Sequence, residues 1–146
     1  MNTDILRNKN VKIVEIPKWG AYLRKQWERH FASHLSSEEK RAINLYDSKD
    51  VCGYLWHLFS YEKTWHLEGK DAELAFNSEP KGDCYVFYQH SDYALLLEKA
   101  SNLKSSDFLT KHDIDKMDIY IVDKNFRWTY VQTHESGWLG PYFCRR

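Results

Sequence analysis

The chain has 146 residues, enough for one domain that buries roughly two-thirds of its unfolded surface. Its 21 Lys/Arg balance 21 Asp/Glu, which argues against a protein that tracks phosphates, since those carry a clear basic excess on one face. Six Trp, ten Tyr and seven Phe can build a dense core and leave aromatics over for a recognition surface.

The opening MNTDILRNKN has no apolar stretch of the signal-peptide kind. No run approaches the ~18 apolar residues of a membrane span, so a cytoplasmic location without membrane contact is expected. Cys52, Cys84 and Cys144 are odd in number and form no CxxC pair, the pattern of reduced thiols.

VKIVEI (Val11 to Ile16) predicts a short strand stopped by Pro17, which cannot continue a ladder. Trp19, Leu23, Trp27, Phe31 and Leu35 then recur at helical spacing, with Arg24, Lys25, Glu28 and Arg29 outside. Ser36-Ser37-Glu38-Glu39 is a capping-box pattern and predicts a second helix through about Tyr46, with Ala42, Ile43 and Tyr46 inward. YLWHLFS (Tyr54 to Ser60) is an apolar run that fits strand or buried helix, and it is read here as strand. Gly69 to Asn77 predicts a short helix, and Cys84 to Gln89 a central strand. After Ser91 as a helix cap, Tyr93, Leu96, Leu97, Ala100 and Leu103 trace a helical stripe. Lys104 to Lys116 is a polar connection with a cap-like Ser105-Ser106-Asp107.

The strongest signal comes last. Ile119–Val122 and Arg127–Thr133 alternate β-branched and aromatic residues with period two, and Asp123-Lys124-Asn125 supplies a turn between them. The elements predict an α+β fold in a single small domain, residues 1–146. Its sheet is antiparallel or mixed, with helices packed mainly on one side. Trp19, Trp27, Phe31, Phe87, Leu96, Ile121 and Trp128 are the expected core.

His57, His66, His90, His112 and His134 could meet at a metal with a carboxylate such as Glu135 or Asp92, but no pair has ligand spacing such as HxH or HExxH. No metal and no cofactor is expected. Gln89-His90-Ser91-Asp92 gathers a base, a hydroxyl and an acid at a predicted strand-to-helix junction, where the plain role of Ser91 is a cap. The flanking glycines of a nucleophile elbow are absent. His90, Asp92, His134 and Glu135 are therefore the candidate catalytic group, and they would have to converge. Gly137-Trp138-Leu139-Gly140-Pro141-Tyr142-Phe143 is either an aromatic binding lip or a tail folded over the sheet. Trp138, Tyr142, Arg127 and His134 are the candidate contact residues. The only concentrated basic group is Lys18, Arg24, Lys25 and Arg29 with Lys40 and Arg41, a small basis for nucleic acid.

Four blocks carry a family resemblance: EIPKWGAYLRKQWE, YLWHLFSYE, CYVFYQHSDYALLLEKAS and DIYIVDKNFRWTYVQTHESGWLGPYF. Together they resemble the small bacterial proteins of domain-of-unknown-function family 4275, found mainly in bacilli and relatives. The resemblance covers nearly the whole chain. It implies a stand-alone cytosolic domain and brings no catalytic residue or cofactor with it. The mixed architecture and the W-x-x-x-x-THE ending are also similar to small bacterial immunity or inhibitor proteins. The expected function is that of a macromolecule-binding module whose partner is another protein. A small hydrolase that uses a His/Asp/Glu cluster, with or without a metal, is the alternative.

Overall fold

The computed structural model describes residues 3–108 and 118–146. Its strands are β1 (Lys12–Glu15), β2 (Leu67–Glu68), β3 (Cys84–Tyr88), β4 (Ala94–Glu98), β5 (Ile119–Asp123), β6 (Trp128–Gln132) and β7 (Tyr142–Arg145). The helices are α1 (Thr3–Asn8), α2 (Gly20–Phe31), α3 (Ser37–Ala42), α4 (His57–Ser60) and α5 (Lys70–Ser78), with a 3-10 turn at Ser105–Phe108. The strands join in one sheet in the order β1-β4-β3-β5-β6-β7-β2. Every pairing is antiparallel, so the α+β reading holds with the sheet purely antiparallel.

The β5–β6 hairpin forms where the alternation predicts it, with Ile119 opposite Gln132 and Ile121 opposite Tyr130. Asp123 makes the turn work. Its carbonyl accepts from Phe126 N at 2.7 Å, and its carboxylate accepts from Asn125 N and Arg127 N, both at 3.2 Å.

Both faces of the sheet are covered. Phe87, Tyr120, Val131 and Tyr142 are successive cross-strand partners in one row. They pack under Leu23, Trp27 and Phe31 of α2 and Leu58 and Phe59 of α4. Val86, Ile121, Tyr130 and Phe143 form the matching row on the reverse, beneath Phe76 and Ala72 of α5, Leu6 of α1 and Phe108. Helices thus flank both faces rather than mainly one. The reason is in the strands: β6 has all five residues buried, and a strand without a wet side needs cover on each side.

One hydrogen-bond relay seats α2 on the sheet. Trp27 Nε1 donates to Thr129 Oγ1 at 2.9 Å, and Thr129 Oγ1 donates to the Ile121 carbonyl at 2.9 Å. The Ser36–Glu39 capping box forms as predicted, at 3.1 Å and 3.0 Å. Glu39's carboxyl is held below its usual range by the Ser36 backbone N–H and then by its hydroxyl. The helix it starts ends at Ala42, short of Tyr46. Ala42 and Tyr46 face solvent, and only Ile43 of the three turns inward.

Two segments differ from the sequence expectation. Residues 93–103 form no helix: Ala94–Glu98 is β4, between β1 and β3. Ala, Leu and Glu favour helix, but pairing on both edges and burial of Ala94, Leu95 and Leu97 outweigh that weak preference. Lys99, at φ 58°, turns the chain out of the strand. Residues 54–60 are not a strand. Leu55, Trp56, Leu58 and Phe59 are the buried ones, a spacing that fits one side of a helix, here α4 and the turn before it. In the expected core, Trp19 is 44% exposed, its ring 5.3 Å from Tyr22, and Leu96 is half-buried. Trp27, Phe31, Phe87, Ile121 and Trp128 are buried.

Trp27→Ala empties the site where α2 meets the sheet and should cost about 3–5 kcal/mol in urea unfolding. Trp27→Phe keeps most of the volume and should cost about 1–2 kcal/mol for the lost relay. Equal losses in the two variants would show that the relay alone holds the helix.

Lys81 gives a pH test on the other face. It is buried, with its ammonium 4.5 Å over the Phe76 ring and donating to the Glu79 carbonyl at 3.0 Å. Burial first, and Lys104's charge second, push its pKa down from 10.5 to about 8. Between those values the unfolded chain binds more protons, so this group makes stability rise with pH there and is a full burden below about 8. Lys81→Met should therefore stabilise most at neutral pH, and its advantage in urea midpoint should shrink toward pH 10. An advantage constant with pH would refute the assignment.

Candidate functional site

The start of β5 and the end of β6 bring Asp118 against His134. Asp118 is only 5% exposed, and three donors converge on its Oδ1. They are Trp56 Nε1 at 2.8 Å, His134 N at 3.0 Å and His134 Nδ1 at 3.0 Å. An oxygen that already accepts from an indole and an amide fixes Nδ1 of His134 as the protonated nitrogen. Nε2 of the neutral ring is then left as an acceptor, 3.6 Å from Glu135 Oε1.

Aromatic rings wall this pair. Tyr54 lies 5.2 Å from His134, 5.3 Å from His57 and 5.5 Å from His90, centroid to centroid. Beneath it, Tyr120 OH donates to Gln89 Oε1 and accepts from Trp56 N at 3.2 Å. Burial first, and the Asp118 charge second, raise the hydroxyl pKa of both Tyr54 and Tyr120. The segment rests on Gly53, where a Cβ would sit 2.0 Å from the Tyr46 carbonyl carbon.

The candidate catalytic residues come together only in part. His134 and Glu135 are adjacent, and the His90 and His134 rings both contact Tyr54. Asp92 instead pairs with Arg24 at 3.2 Å. Ser91 caps no helix: its hydroxyl accepts from Tyr93 N at 3.1 Å inside the β3–β4 turn. Among the described residues no three His, Cys, Asp or Glu side chains are arranged to hold a metal ion; His112 lies outside those residues. Asp118 is the member that sequence reasoning missed. Its signal was an acid directly before an apolar strand, opposite the residues that follow that strand's hairpin partner.

The candidate contact residues also divide. Trp138 is 85% exposed. Tyr142 is fully buried in β7, so its side chain forms no surface, and burial raises its hydroxyl pKa. Arg127 is exposed at the hairpin turn, at the opposite end of β6 from His134. His134 begins the loop that carries Trp138.

That loop, 133–141, is tied by its own hydrogen bonds. Thr133 Oγ1 donates to the Leu139 carbonyl and accepts from Glu135 N at 3.1 Å. Ser136 Oγ donates to the Thr133 carbonyl at 2.8 Å, and Trp138 N and Leu139 N reach the Glu135 carbonyl at 3.0 and 2.8 Å. Gly140, at φ 91°, takes a backbone angle L side chains rarely adopt, and its peptide bond to Pro141 is cis. Between the loop and the start of α5 is a cavity of about 400 Å³, lined by Glu68, Lys70, Glu73, Gln132 and Trp138 among others.

A larger cavity, about 650 Å³, opens beside α2 near Arg24, Lys25, Arg29, Asp47 and His90. Its central cation is committed: Arg24 Nη1 donates to the Tyr88 and Ser91 carbonyls at 2.9 and 2.6 Å. Lys40 pairs with Glu28 at 3.0 Å. All three cysteines are free thiols, and burial pushes Cys84 up to about 12 and Cys144 up to about 11. Among the described residues no helix is long and apolar enough to cross a membrane.

The sequence matches a family described as a domain of unknown function, DUF4275, over residues 1–143. This chain is a member of that family. No curated protein and no solved structure matches it. Both the Asp118–His134 pair and the Trp138 loop fall within the span that defines the domain.

Asp118→Ala removes the acceptor that the Trp56 indole, the His134 amide and the His134 ring share. It should cost about 2–4 kcal/mol in urea unfolding and move the indole N–H resonance of Trp56. An unchanged midpoint with an unshifted Trp56 signal would rule out the convergence on Oδ1.

Proposed function

We propose that this DUF4275 domain is a protein-binding module of the bacterial cytoplasm, of the inhibitor or immunity kind, with the Trp138 loop as its contact surface. The observation that carries this reading is a tryptophan 85% exposed on a loop already held by its own hydrogen bonds. Interface hot spots are enriched in Trp because it buries a large area while few rotors are frozen. A pre-ordered loop lowers the ordering entropy lost on association. Of the six Trp, Trp27, Trp56 and Trp128 are buried, and Trp138 is more exposed than either Trp19 at 44% or Trp65 at 62%.

A hydrolase is the second reading, favoured by Asp118 holding His134 with Nε2 free to accept a proton. Among the described residues no hydroxyl or thiol bonds that nitrogen, so water would be its nucleophile. Ester or phosphoester turnover by the protein, abolished in His134→Ala, would promote this reading. Nucleic acid fits less well, because Arg24 and Lys40 of the basic group are tied to acceptors within the fold.

The test is affinity capture from the native bacterium with wild type and Trp138→Ala. Capture of a specific partner should be lost in the variant, while urea stability stays within about 0.5 kcal/mol because nothing buried is removed. A partner retained at full yield by Trp138→Ala would sink the reading.

A further inference from the structure

The lining of the Trp138 cavity carries a small excess of acid in a chain that is neutral overall. Glu68 and Glu73 line the cavity and Lys70 is the single cation among its lining residues. Lys70 is 3.9 Å from Glu73 and mostly in solvent. Glu135, on the loop itself, is 44% exposed and faces His134 Nε2 at 3.6 Å. Glu68 is 45% exposed and faces His66 Nε2 at 4.0 Å. Among the described residues, then, Glu68 and Glu135 have a histidine ring nitrogen and no Lys or Arg within ion-pair distance. The first turn of α5 would by itself favour an anion, but it carries Asp71 and Glu73, which reverse that preference.

We propose that the recess between Trp138 and α5 takes a basic segment of a protein partner, seating an arginine or lysine side chain against the indole with Glu68 and Glu73 beside it. The proposal rests on the binding reading of the Trp138 loop. Two physical arguments fix the occupant. An exposed indole face is the best side-chain platform for a cation, and a guanidinium both stacks on it and offers forked N–H donors to a carboxylate. About 400 Å³ lies at the small end of ligand-sized clefts, a fit for one long side chain and its backbone. An acidic segment would meet the Glu68 and Glu73 carboxylates. A neutral apolar one would leave them desolvated without partners.

The experiment uses the ¹⁵N-labelled full chain, with the Trp138 indole resonance assigned by its loss in Trp138→Phe. The probes are a blocked Gly-Arg-Gly-Arg-Gly peptide and its counterpart with Glu for each Arg. The Arg peptide should shift the Trp138 indole together with the Glu68 and Glu73 amides, and the Glu peptide should not. The Glu68→Gln/Glu73→Gln double variant should weaken the Arg peptide about threefold or more. Raising NaCl to about 0.5 M should weaken it further. These carboxylates are partly exposed and their removal leaves the fold intact, which the unchanged dispersion of the other resonances checks. An indole that ignores the Arg peptide, responds equally to both peptides, or is indifferent to the double variant overturns the proposal. Failure here is separable from failure of the binding reading. A natural partner whose capture needs Trp138 but not Glu68 and Glu73 leaves the reading standing and removes the basic segment. A partner that does not need Trp138 removes the reading itself.

Discussion

Strand β6 has no side that water reaches. Trp128, Thr129, Tyr130, Val131 and Gln132 are all buried, and that constraint organises the rest of the molecule. A strand covered on both faces requires two helical layers, and the two clusters under α2/α4 and under α5/α1 are those layers. Two of its five residues are polar, and a buried polar group without a partner is destabilising. Thr129 answers by linking the Trp27 indole to the Ile121 carbonyl, and Gln132 by donating to the Ser105 carbonyl and the Tyr130 hydroxyl. One contact of each residue reaches an element outside the sheet, Trp27 for Thr129 and Ser105 for Gln132, so satisfying β6 also fixes where α2 and the 3-10 turn lie.

The candidate site sits where this arrangement ends. Just past β6 the chain leaves the sheet at Thr133, and the same register that pairs Ile119 with Gln132 sets Asp118 beside His134. The buried carboxylate then binds an indole, an amide and an imidazole at one oxygen. It joins α4's preceding turn, the end of β6 and the start of the Trp138 loop at one point. A rigid base at that point is what lets the loop display a large aromatic in water without collapsing onto the sheet. Nε2 of His134 and the exposed indole of Trp138 both depend on this one anchor.

Packing also explains the aromatic excess. Most of it is structural: Phe76 stacks on Tyr130 at 4.4 Å, Phe87 on Tyr120 at 5.0 Å, and Trp27 contacts Phe31, Phe59 and Tyr120. Large rings fill a thin two-faced core with few residues. Trp138 stands outside that use, and so does Trp65, 62% exposed before β2.

Local chemistry in the sequence was sufficient for the β5–β6 hairpin, β1, β3, α2, the capping box and α5, because each is set by period, turn residue or cap within a few positions. The α+β class followed from them. Tertiary contacts decided four other things. Ala94–Glu98 became a strand because β1 and β3 offered it two ladders, a gain no local propensity records. Tyr54–Ser60 became a turn and a helix because Leu55, Trp56, Leu58 and Phe59 had to point the same way. The Asp118–His134 pair went unread, since the two residues are sixteen positions apart and meet only through strand register. Trp138 and Tyr142 looked alike in one glycine-rich tail. Pairing of β7 with β6 buries Tyr142, and the hydrogen-bonded loop before it leaves Trp138 in solvent.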